Sequence, residues 1–187
     1  IFGGERGHLE LDVQIMHYSV AARSGGGIFC MGSAFPNKGV HLGTGTIVSL
    51  SFANGDSRDE GGGGISTVLC DVRLNGASIL LNNATSVGGG GGGVRLGTRS
   101  RLEVSVNSSF TGNMALAGSG GAVLCDECHG VDLSDGTRFE NNVAHRHGGA
   151  IGLLSPISVT ARSSGSVFRG NKAETGDGGA VYVVHNG

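Results

Sequence analysis

Residues 139–151 read Phe-Glu-Asn-Asn-Val-Ala-His-Arg-His-Gly-Gly-Ala-Ile, and both ends of this stretch recur along the chain. The phrase Phe-x-x-Asn returns at Phe110 and Phe168, 29 residues away on either side (139 − 110 and 168 − 139). The phrase Gly-Gly-Ala returns in the same phase, and two motifs that share one period indicate a repeat protein. Phe52, in Phe-Ala-Asn, is assigned to an earlier, weaker copy. The other motif residues are Phe110, Asn113, Gly120, Gly121, Ala122, Phe139, Asn142, Gly148, Gly149, Ala150, Phe168, Asn171, Gly178, Gly179 and Ala180.

The glycine phrase continues toward the start of the chain in weaker form, at residues 91–93, 62–64 and 25–27. Its third residue falls at 27, 64, 93, 122, 150 and 180, so the intervals are 37, 29, 29, 28 and 30. About six units of about 29 residues therefore fill the chain. The one long interval predicts a loop insertion over residues 31–46, where Pro36 and Asn37-Lys38-Gly39 are typical of turns.

The residue that follows each glycine phrase is β-branched in all six units, and such residues suit a pleated strand. Apolar residues recur one and three positions after the phrase, while the position between them is mixed, which is strand alternation. Similar alternation at residues 101–106, together with the Phe phrase, gives three short strands per unit. The β-branched residues are Ile28, Ile65, Val94, Val123, Ile151 and Val181.

Three short strands and three corners in about 29 residues describe one coil of a right-handed parallel β-helix, an all-β solenoid of about six coils. Equivalent strands should stack about 4.8 Å apart, so the Phe, Asn and β-branched residues should each form a ladder along the axis. An Asn side chain donates and accepts, so it can satisfy backbone groups at an inward corner. We expect residues 1–187 to form a single β-helix domain, as a fragment of a longer chain.

The phrases at residues 110–115, 139–144 and 168–173, each followed by Gly-Gly-Ala, resemble the repeat pair of the polymorphic outer-membrane proteins of chlamydiae. Similar Pmp-like repeats occur in surface proteins of other microbes and algae. The resemblance covers about residues 105–187, and the first half matches only the glycine phrase. It implies a β-helical autotransporter passenger with roles in adhesion and surface assembly. The implied protein is a cell-surface or extracellular scaffold or adhesin, associated with the outer membrane in a bacterium, with other proteins or further β-helix copies as partners.

The composition sets limits on other functions. Gly accounts for 38 of 187 residues and charged residues for only 15%, as expected for turns and short strands. A net charge of −2 argues against nucleic-acid binding, which needs a basic stripe. No apolar run reaches the length of a membrane span, so membrane contact would need segments outside this chain. The local cluster Arg95, Arg99 and Arg101 is interpreted as a solvated strand face.

The four cysteines fall at two repeat positions. Cys30 and Cys125 lie three residues after the phrase, and Cys70 and Cys128 lie six residues after it. In an oxidising compartment this predicts a Cys125–Cys128 disulfide across a turn and a Cys30–Cys70 disulfide between adjacent coils; in a reducing one, all four are structural thiols.

The segment Cys125-Asp-Glu-Cys128-His129 also matches the c-type haem attachment pattern. Haem needs a pocket and an axial partner, whereas Cys125 lies in the inward column, so haem is disfavoured. A zinc site lacks a second ligand pair. The sequence therefore predicts no cofactor and no metal.

Two sequons, Asn83-Ala-Thr and Asn107-Ser-Ser, are N-glycosylation acceptors in a eukaryotic host. Asn107 lies in a polar stretch typical of a surface corner and is the better acceptor. Asn83 is also a candidate for the Asn ladder and would then point inward.

Parallel β-helices also carry polysaccharide lyases and hydrolases, which gather two or three carboxylates on one face. The acidic groups Asp56, Asp59 and Glu60, then Asp132 and Asp135, then Glu174 and Asp177, occupy three corners at different phases. His145 and His147 share one face of a strand if that segment is extended, but no third ligand accompanies them. The sequence thus favours a non-catalytic protein, with a carbohydrate-active β-helix or a filament subunit as alternatives.

Overall fold

The computed structural model describes residues 2–3, 9–11, 15–32, 39–57, 60–87, 89–105, 107–134, 136–154 and 160–184. These residues form short strands, four in each coil, and no helix. The first three coils contain β1 (Phe2–Gly3), β2 (Leu9–Leu11), β3 (Ile15–His17), β4 (Val20–Ala21), β5 (Ile28–Met31), β6 (Gly39–Leu42), β7 (Ile47–Ser49), β8 (Phe52–Ala53), β9 (Ile65–Val68), β10 (Asp71–Asn75), β11 (Ser78–Leu80) and β12 (Asn83–Ala84).

The remaining coils repeat the same order. They contain β13 (Val94–Leu96), β14 (Arg101–Ser105), β15 (Ser109–Thr111), β16 (Met114–Ala115), β17 (Val123–Asp126), β18 (Gly130–Leu133), β19 (Arg138–Glu140), β20 (Val143–Ala144), β21 (Ile151–Leu154), β22 (Thr160–Ser163), β23 (Val167–Arg169), β24 (Lys172–Ala173) and β25 (Val181–Val184).

Each strand pairs in parallel with its equivalents in the neighbouring coils, which produces four sheets along one axis. The first sheet runs β1-β5-β9-β13-β17-β21-β25, and the second, third and fourth sheets begin with β2, β3 and β4 and hold six strands each. The predicted all-β parallel β-helix is therefore confirmed. The predicted three strands per coil become four, because the two residues after each motif Asn form a further short strand.

The β-branched column lies in the core of the first sheet, as predicted. Val94 is in register with Ile65 on one side and Val123 on the other, and the column continues to Ile151 and Val181. All but the last of these five are buried. Inward apolar residues of the second and third sheets complete the core, including Val72, Leu74, Ile79, Leu102, Val104 and Val131.

The Phe ladder lies on the inner side of the third sheet. Phe139 stacks between Phe110 and Phe168, with ring centroids 4.6 and 4.9 Å away and planes within 4° of parallel. Earlier coils place aliphatic residues in this column, since Ile79 and Val48 are in register with Phe110. The assignment of Phe52 to the motif is therefore wrong.

Phe52 lies four residues later than the Phe column of its coil and opens the fourth strand, in register with Asn83. In this coil Val48 stands in the Phe column, so the repeat position cannot be recognised from a Phe in the sequence. Phe52 lies nearby and resembles the motif residue.

A buried ladder of Asn side chains follows the third sheet. Asn142 Oδ1 accepts from Asn113 N at 2.9 Å and from Asn113 Nδ2 at 3.0 Å, and Asn142 Nδ2 donates to Phe110 O at 3.0 Å. Asn171 continues the pattern in the next coil and Asn82 in the preceding one. The ladder residue of that earlier coil is thus Asn82, and the suggestion that Asn83 serves there is wrong.

The corner before the Asn ladder is tight and constant. Its turning residue has a left-handed backbone in every coil, at Tyr18, Leu50, Leu81, Gly112, Asn141 and Gly170. Five residues separate the Phe column from an inward alanine of the fourth sheet in each coil (144 − 139 and 115 − 110, for example). A small side chain is needed where two sheets converge so closely. The alanine column is Ala21, Ala53, Ala84, Ala115, Ala144 and Ala173.

The glycine phrases form the wide corner before the first sheet. Gly120 has φ +66°, and a Cβ there would lie 2.2 Å from the carbonyl oxygen of Val123. A Cβ on Gly121 would lie 2.1 Å from the carbonyl oxygen of Gly149 in the next coil. Ala122 and Ala150 are fully buried. The repeat therefore needs glycine to turn the chain and to let adjacent coils approach.

The predicted loop over residues 31–46 is wrong in part, because residues 39–42 form strand β6 and pair with β10. Residues 33–38 lie outside the described residues. The long coil exceeds the next by eight residues, since Ile28 to Ile65 is 37 and Ile65 to Val94 is 29. Compared with the next coil, five of the eight extra residues lie between Ile28 and Val40, one lies between Val40 and Val48, and two lie between Ala53 and Ile65. The extra length is therefore shared among three corners.

Phe139→Ala should destabilise the fold by roughly 3–5 kcal/mol, because it opens a cavity in the middle of the Phe ladder. Urea unfolding followed by circular dichroism measures the change. Phe52→Ala, on the outward side of the fourth sheet, is the control and should cost clearly less. Equal losses in the two variants would contradict the inward position of the Phe ladder.

Candidate interaction surface

The repeat motif residues form the core and the corners of the fold. Phe110, Phe139, Asn113 and Asn142 are fully buried, as are the glycine phrases of these coils. The last copy, from Phe168 to Ala180, contains half-buried and exposed positions. In the coils where the motif is buried, the side chains open to contact with another molecule are therefore the outward ones, which differ from sheet to sheet.

Outward side chains of the second sheet form a charged strip, which we call the charged face. Register places Arg73 between His41 and Glu103, and Glu103 beside Asp132. Arg73 Nε donates to Glu103 Oε2 at 2.8 Å, and Arg101 Nε donates to Asp132 Oδ2 at 2.8 Å. The charged face comprises Glu10, His41, Asp71, Arg73, Arg101, Glu103 and Asp132.

A shallow depression of about 290 Å³ lies on this face, lined by Arg73, Glu103 and Asp132 together with Ser105, Ser134 and Val104. These charged side chains are about one quarter to two fifths exposed. The depression therefore presents charges of both signs to solvent, each already balanced by a neighbour.

Asp71 lies beside the Arg101 backbone, whose N–H donates to Asp71 Oδ1 at 3.0 Å. Partial burial raises the pKa of Asp71, the Arg101 N–H opposes that rise, and the negative charge of Glu103 adds to it. Three carboxylates, Asp71, Glu103 and Asp132, thus share one face with two arginines.

The expectation that no acidic column exists is therefore wrong for Glu103 and Asp132. Asp132 lies on strand β18, not in a corner, and Asp135 lies outside the described residues. The signal was present in the sequence, because both residues stand ten positions after the third residue of a glycine phrase (103 − 93 and 132 − 122).

The arginine cluster does not form one solvated face. Arg95 is only 3% exposed and lies on the outer side of the first sheet, with Nη2 4.0 Å from Asp126 Oδ2. Arg99 lies in an exposed turn with φ +56°, and Arg101 belongs to the charged face. Strand alternation correctly turns Arg95 outward, but the outer side of this sheet is covered there, since neighbouring Leu124 and Ser66 are also buried.

The acidic corner before the first sheet is built around Glu60. Its carboxylate accepts from Arg23 Nε and from the backbone N–H groups of Asp56 and Ser57, at 2.8 and 3.2 Å. These hydrogen bonds, first of all that from Arg23, lower the pKa of Glu60 to about 2 although burial raises it. Glu60 therefore acts as a buried anionic cap of its corner, and Asp59 lies outside the described residues.

His145 and His147 lie in a corner, so the expectation that they share a strand face is wrong. His145 Nδ1 lies 3.6 Å from Glu174 Oε2, and His147 Nδ1 accepts from Asp177 N at 2.9 Å. His147 also stacks on Tyr182, with centroids 4.3 Å apart. Among the described residues, no three His, Cys, Asp or Glu side chains converge as metal ligands.

The structure joins the cysteines in the two predicted pairs. Cys30 and Cys70 have Cα atoms 6.1 Å apart and link adjacent coils, and Cys125 and Cys128 have Cα atoms 5.3 Å apart within one corner. Cys125 and Cys128 are fully buried, whereas His129 is exposed. The segment that matches a haem attachment pattern is thus occupied by a disulfide.

The two sequons lie in different surroundings. Asn107 is exposed in a left-handed turn with φ +59°. Asn83 is half-buried on the fourth sheet, and its Oδ1 is buried without a hydrogen-bond partner among the described residues. Asn107 is the more accessible of the two amides.

Three stretches, residues 107–126, 136–152 and 165–184, match the family model described as the Chlamydia polymorphic membrane protein repeat. Each stretch contains one Phe phrase and one glycine phrase, so the resemblance seen in the sequence is confirmed in these three copies. Searches of curated proteins and of solved structures gave no match. Within the part of the chain that the structure describes, no helix is long and apolar enough to cross a membrane.

The cysteine pairs predict a simple peptide map. Digestion without reductant should release Cys30 linked to Cys70 and Cys125 linked to Cys128. Replacing Cys30 and Cys70 by Ala should cost roughly 2–4 kcal/mol of stability, and replacing Cys125 and Cys128 should cost less, because their loop is far shorter. Free thiols at all four positions in protein secreted through an oxidising compartment would contradict the pairing.

The low pKa of Glu60 predicts a pH-dependent contribution to stability. Its usual value is 4.5 and its folded value about 2, so the unfolded chain takes up the proton first as pH falls. The stabilisation is therefore complete above about pH 4.5 and lost as pH falls toward about 2. Urea midpoints of the native chain and of Glu60→Gln should differ at pH 7 and converge near pH 2.

Exposed Glu127→Gln is the matched control for Glu60→Gln and should show no such convergence. If the difference in urea midpoint between the native chain and Glu60→Gln stays constant with pH, the carboxylate charge does not stabilise the corner.

Proposed function

We propose that this chain, with its three copies of the Chlamydia polymorphic membrane protein repeat, is a non-catalytic β-helical scaffold or adhesin of a cell surface. The repeat and the parallel β-helix fit a surface protein. The observation that carries the proposal is the burial of the repeat motifs, because it leaves recognition to outward side chains. The repeat family suggests an outer-membrane or surface location, and the proposed partners are proteins.

The charged face is the contact surface that we assign to this function. It carries charges of both signs in a fixed order along the axis, so it can match a polar protein surface in one register and repel others. Arg73 and Arg101 each already pair with a carboxylate, which limits the desolvation cost of these two pairs when a partner covers them. Nucleic acid is not among the proposed partners, because a net charge of −2 argues against the basic stripe that nucleic-acid binding needs. No cofactor is needed for such contacts.

Strand alternation turns Arg95 and Tyr182 outward, which makes them candidates for probing binding. The structure favours others, because Arg95 is buried and Tyr182 is half-buried against His147. Arg73 and Asp132 are accessible, lie on the described depression, and belong to adjacent charged pairs. Exposed ion pairs contribute little to stability, so their replacement should leave the fold intact.

Beads coated with the chain should adhere to target cells, and soluble chain should compete. The double variant Arg73→Glu, Asp132→Lys should reduce adhesion at least tenfold, with an unchanged melting curve. Arg138→Glu, an exposed charge reversal on the third sheet, is the matched control and should adhere normally. Normal adhesion by the double variant would remove the charged face from the proposal.

The repeat motif gives a second arm to the same experiment. Ala150→Asp buries a charge at a tight corner and should lose adhesion only together with its folded structure. Loss of adhesion with the melting curve intact would show that the motif is itself a contact surface.

A carbohydrate-active β-helix is the second candidate, favoured by one observation. Asp71, whose pKa is raised, lies on the same face as Glu103, Asp132 and two arginines, as acid–base chemistry on a sugar would need. Assays of reducing-end and unsaturated-product release from acidic and neutral polysaccharides separate the two functions. Turnover that disappears in Asp71→Asn would replace the adhesin proposal by an enzyme.

A further inference from the structure

The outward positions of the third and fourth sheets change character along the axis. In the first four coils these sixteen positions hold no Asp, Glu, Lys or Arg, whereas the next two coils place Arg138, Glu140, Arg169 and Lys172 there. We call the uncharged part the apolar face. It comprises Ile15, His17, Tyr18, Val20, Ile47, Ser49, Leu50, Phe52, Ser78, Leu80, Leu81, Asn83, Ser109, Thr111, Gly112 and Met114.

Large hydrophobic side chains on this face are open to solvent. Ile15 is 70% exposed, Tyr18 69%, Val20 66% and Leu81 54%. Register places Ile15 beside Ile47 and Val20 beside half-buried Phe52, so the exposed groups are contiguous. Contiguous exposed apolar patches mark interaction sites in soluble proteins.

Three residues of the apolar face also adopt an unfavourable backbone. Tyr18, Leu50 and Leu81 have φ of 57°, 49° and 53°, in the left-handed region where bulky residues are rare. The same corner in later coils uses Gly112 and Gly170, which adopt this conformation without strain. The turn itself requires the left-handed conformation, so the unexplained feature is a bulky exposed residue where glycine would turn the chain without strain, and such a strained position is a reason to look for a function.

The Leu81 side chain lies over Gly112, where a Cβ would be only 2.7 Å from Leu81 Cδ2. Gly112 therefore leaves room for Leu81 to extend along the surface. The exposed leucine gains little burial within the monomer, so contact with another molecule is what would compensate its exposure and strain.

The charge pattern indicates which kind of partner the apolar face can bind. The apolar face carries no Lys or Arg to hold an anionic membrane and no Asp or Glu to choose a cationic partner, and its single histidine, His17, is hydrogen-bonded to Ser49. Against its own copy it meets no like charge, and a two-fold contact sets the same patch on both sides. A second copy of this chain therefore fits it.

We propose that the apolar face pairs with the same face of a second copy, side by side, in a two-fold dimer. Four coils about 4.8 Å apart and six residues of strand and corner span roughly 400 Å². This is about half the area that each partner of a standard interface contributes, so the dimer is weak, with a Kd on the order of 10⁻⁵–10⁻⁴ M. The dimer uses a different surface from the charged face and rests on the proposed function only for its crowded cell-surface setting.

Sedimentation velocity over about 1–500 µM chain brackets that Kd and should show reversible conversion from monomer to dimer. Leu81→Gly removes the side chain and relieves the left-handed strain, so it should weaken dimerisation at least tenfold while the melting temperature stays equal or rises. Leu81→Asp should weaken it further, because the two-fold contact brings like charges together.

Val167→Ser, an exposed apolar change on the third sheet outside the apolar face, is the control and should dimerise like the native chain. The proposal is overturned if the native chain stays monomeric throughout, if the dimer is unaffected by both Leu81 variants, or if the monomer floats with neutral phosphatidylcholine vesicles instead. The Arg73→Glu, Asp132→Lys variant should still dimerise, so failure of the adhesin function and failure of the dimer are told apart.

Discussion

In-register parallel pairing of the backbone places every residue beside its own equivalent in the neighbouring coils, and the rest of the structure depends on this constraint. Side chains that attract their own kind are favoured, so aromatic rings stack and Asn amides form chains of hydrogen bonds. Charges that repel their own kind need compensation. Glu103 and Asp132 are direct neighbours, and Arg73 and Arg101 supply the opposite charge. One geometric rule therefore orders both the core and the surface.

The Asn ladder shows how a polar group can be required inside such a core. The chain turns inward after the third sheet, which leaves backbone N–H groups away from water. The side-chain oxygen of Asn142 accepts from the backbone of Asn113, and its amide nitrogen donates to a backbone carbonyl. An aspartate would lack the donor and a leucine would lack both groups, and a buried unpaired N–H is costly. The amide therefore specifies the corner as well as the stacking.

The sequence correctly predicts the features that the 29-residue period determines directly. The β-branched column, the Phe ladder of the last three coils and the phase of the cysteines follow from counting residues. The fourth strand was missed because two residues are too few to show alternation. The assignment of Phe52 is wrong because Val48, not a Phe, occupies the Phe column of that coil. The burial of Arg95 is not predicted because alternation shows which side of the sheet a residue faces, but not what covers that side. The charged face could have been found by extending the column count to strand positions ten residues after the glycine phrase.

The corners differ in how much they vary in length. Five residues join the Phe column to the alanine column in every coil, while the path from the alanine column to the next β-branched column ranges from 7 (151 − 144) to 12 (65 − 53) residues. The tight corner thus serves as a fixed spine to which every coil is aligned, and the corners on either side of the first sheet are free to lengthen. Proteins with this plan can diversify their loops, and so what the loops display, without disturbing the order of the stack. The same spine marks where foreign peptides could be inserted by design: at the corner opposite it, between the first sheet and the second, where five of the eight extra residues of the long coil lie.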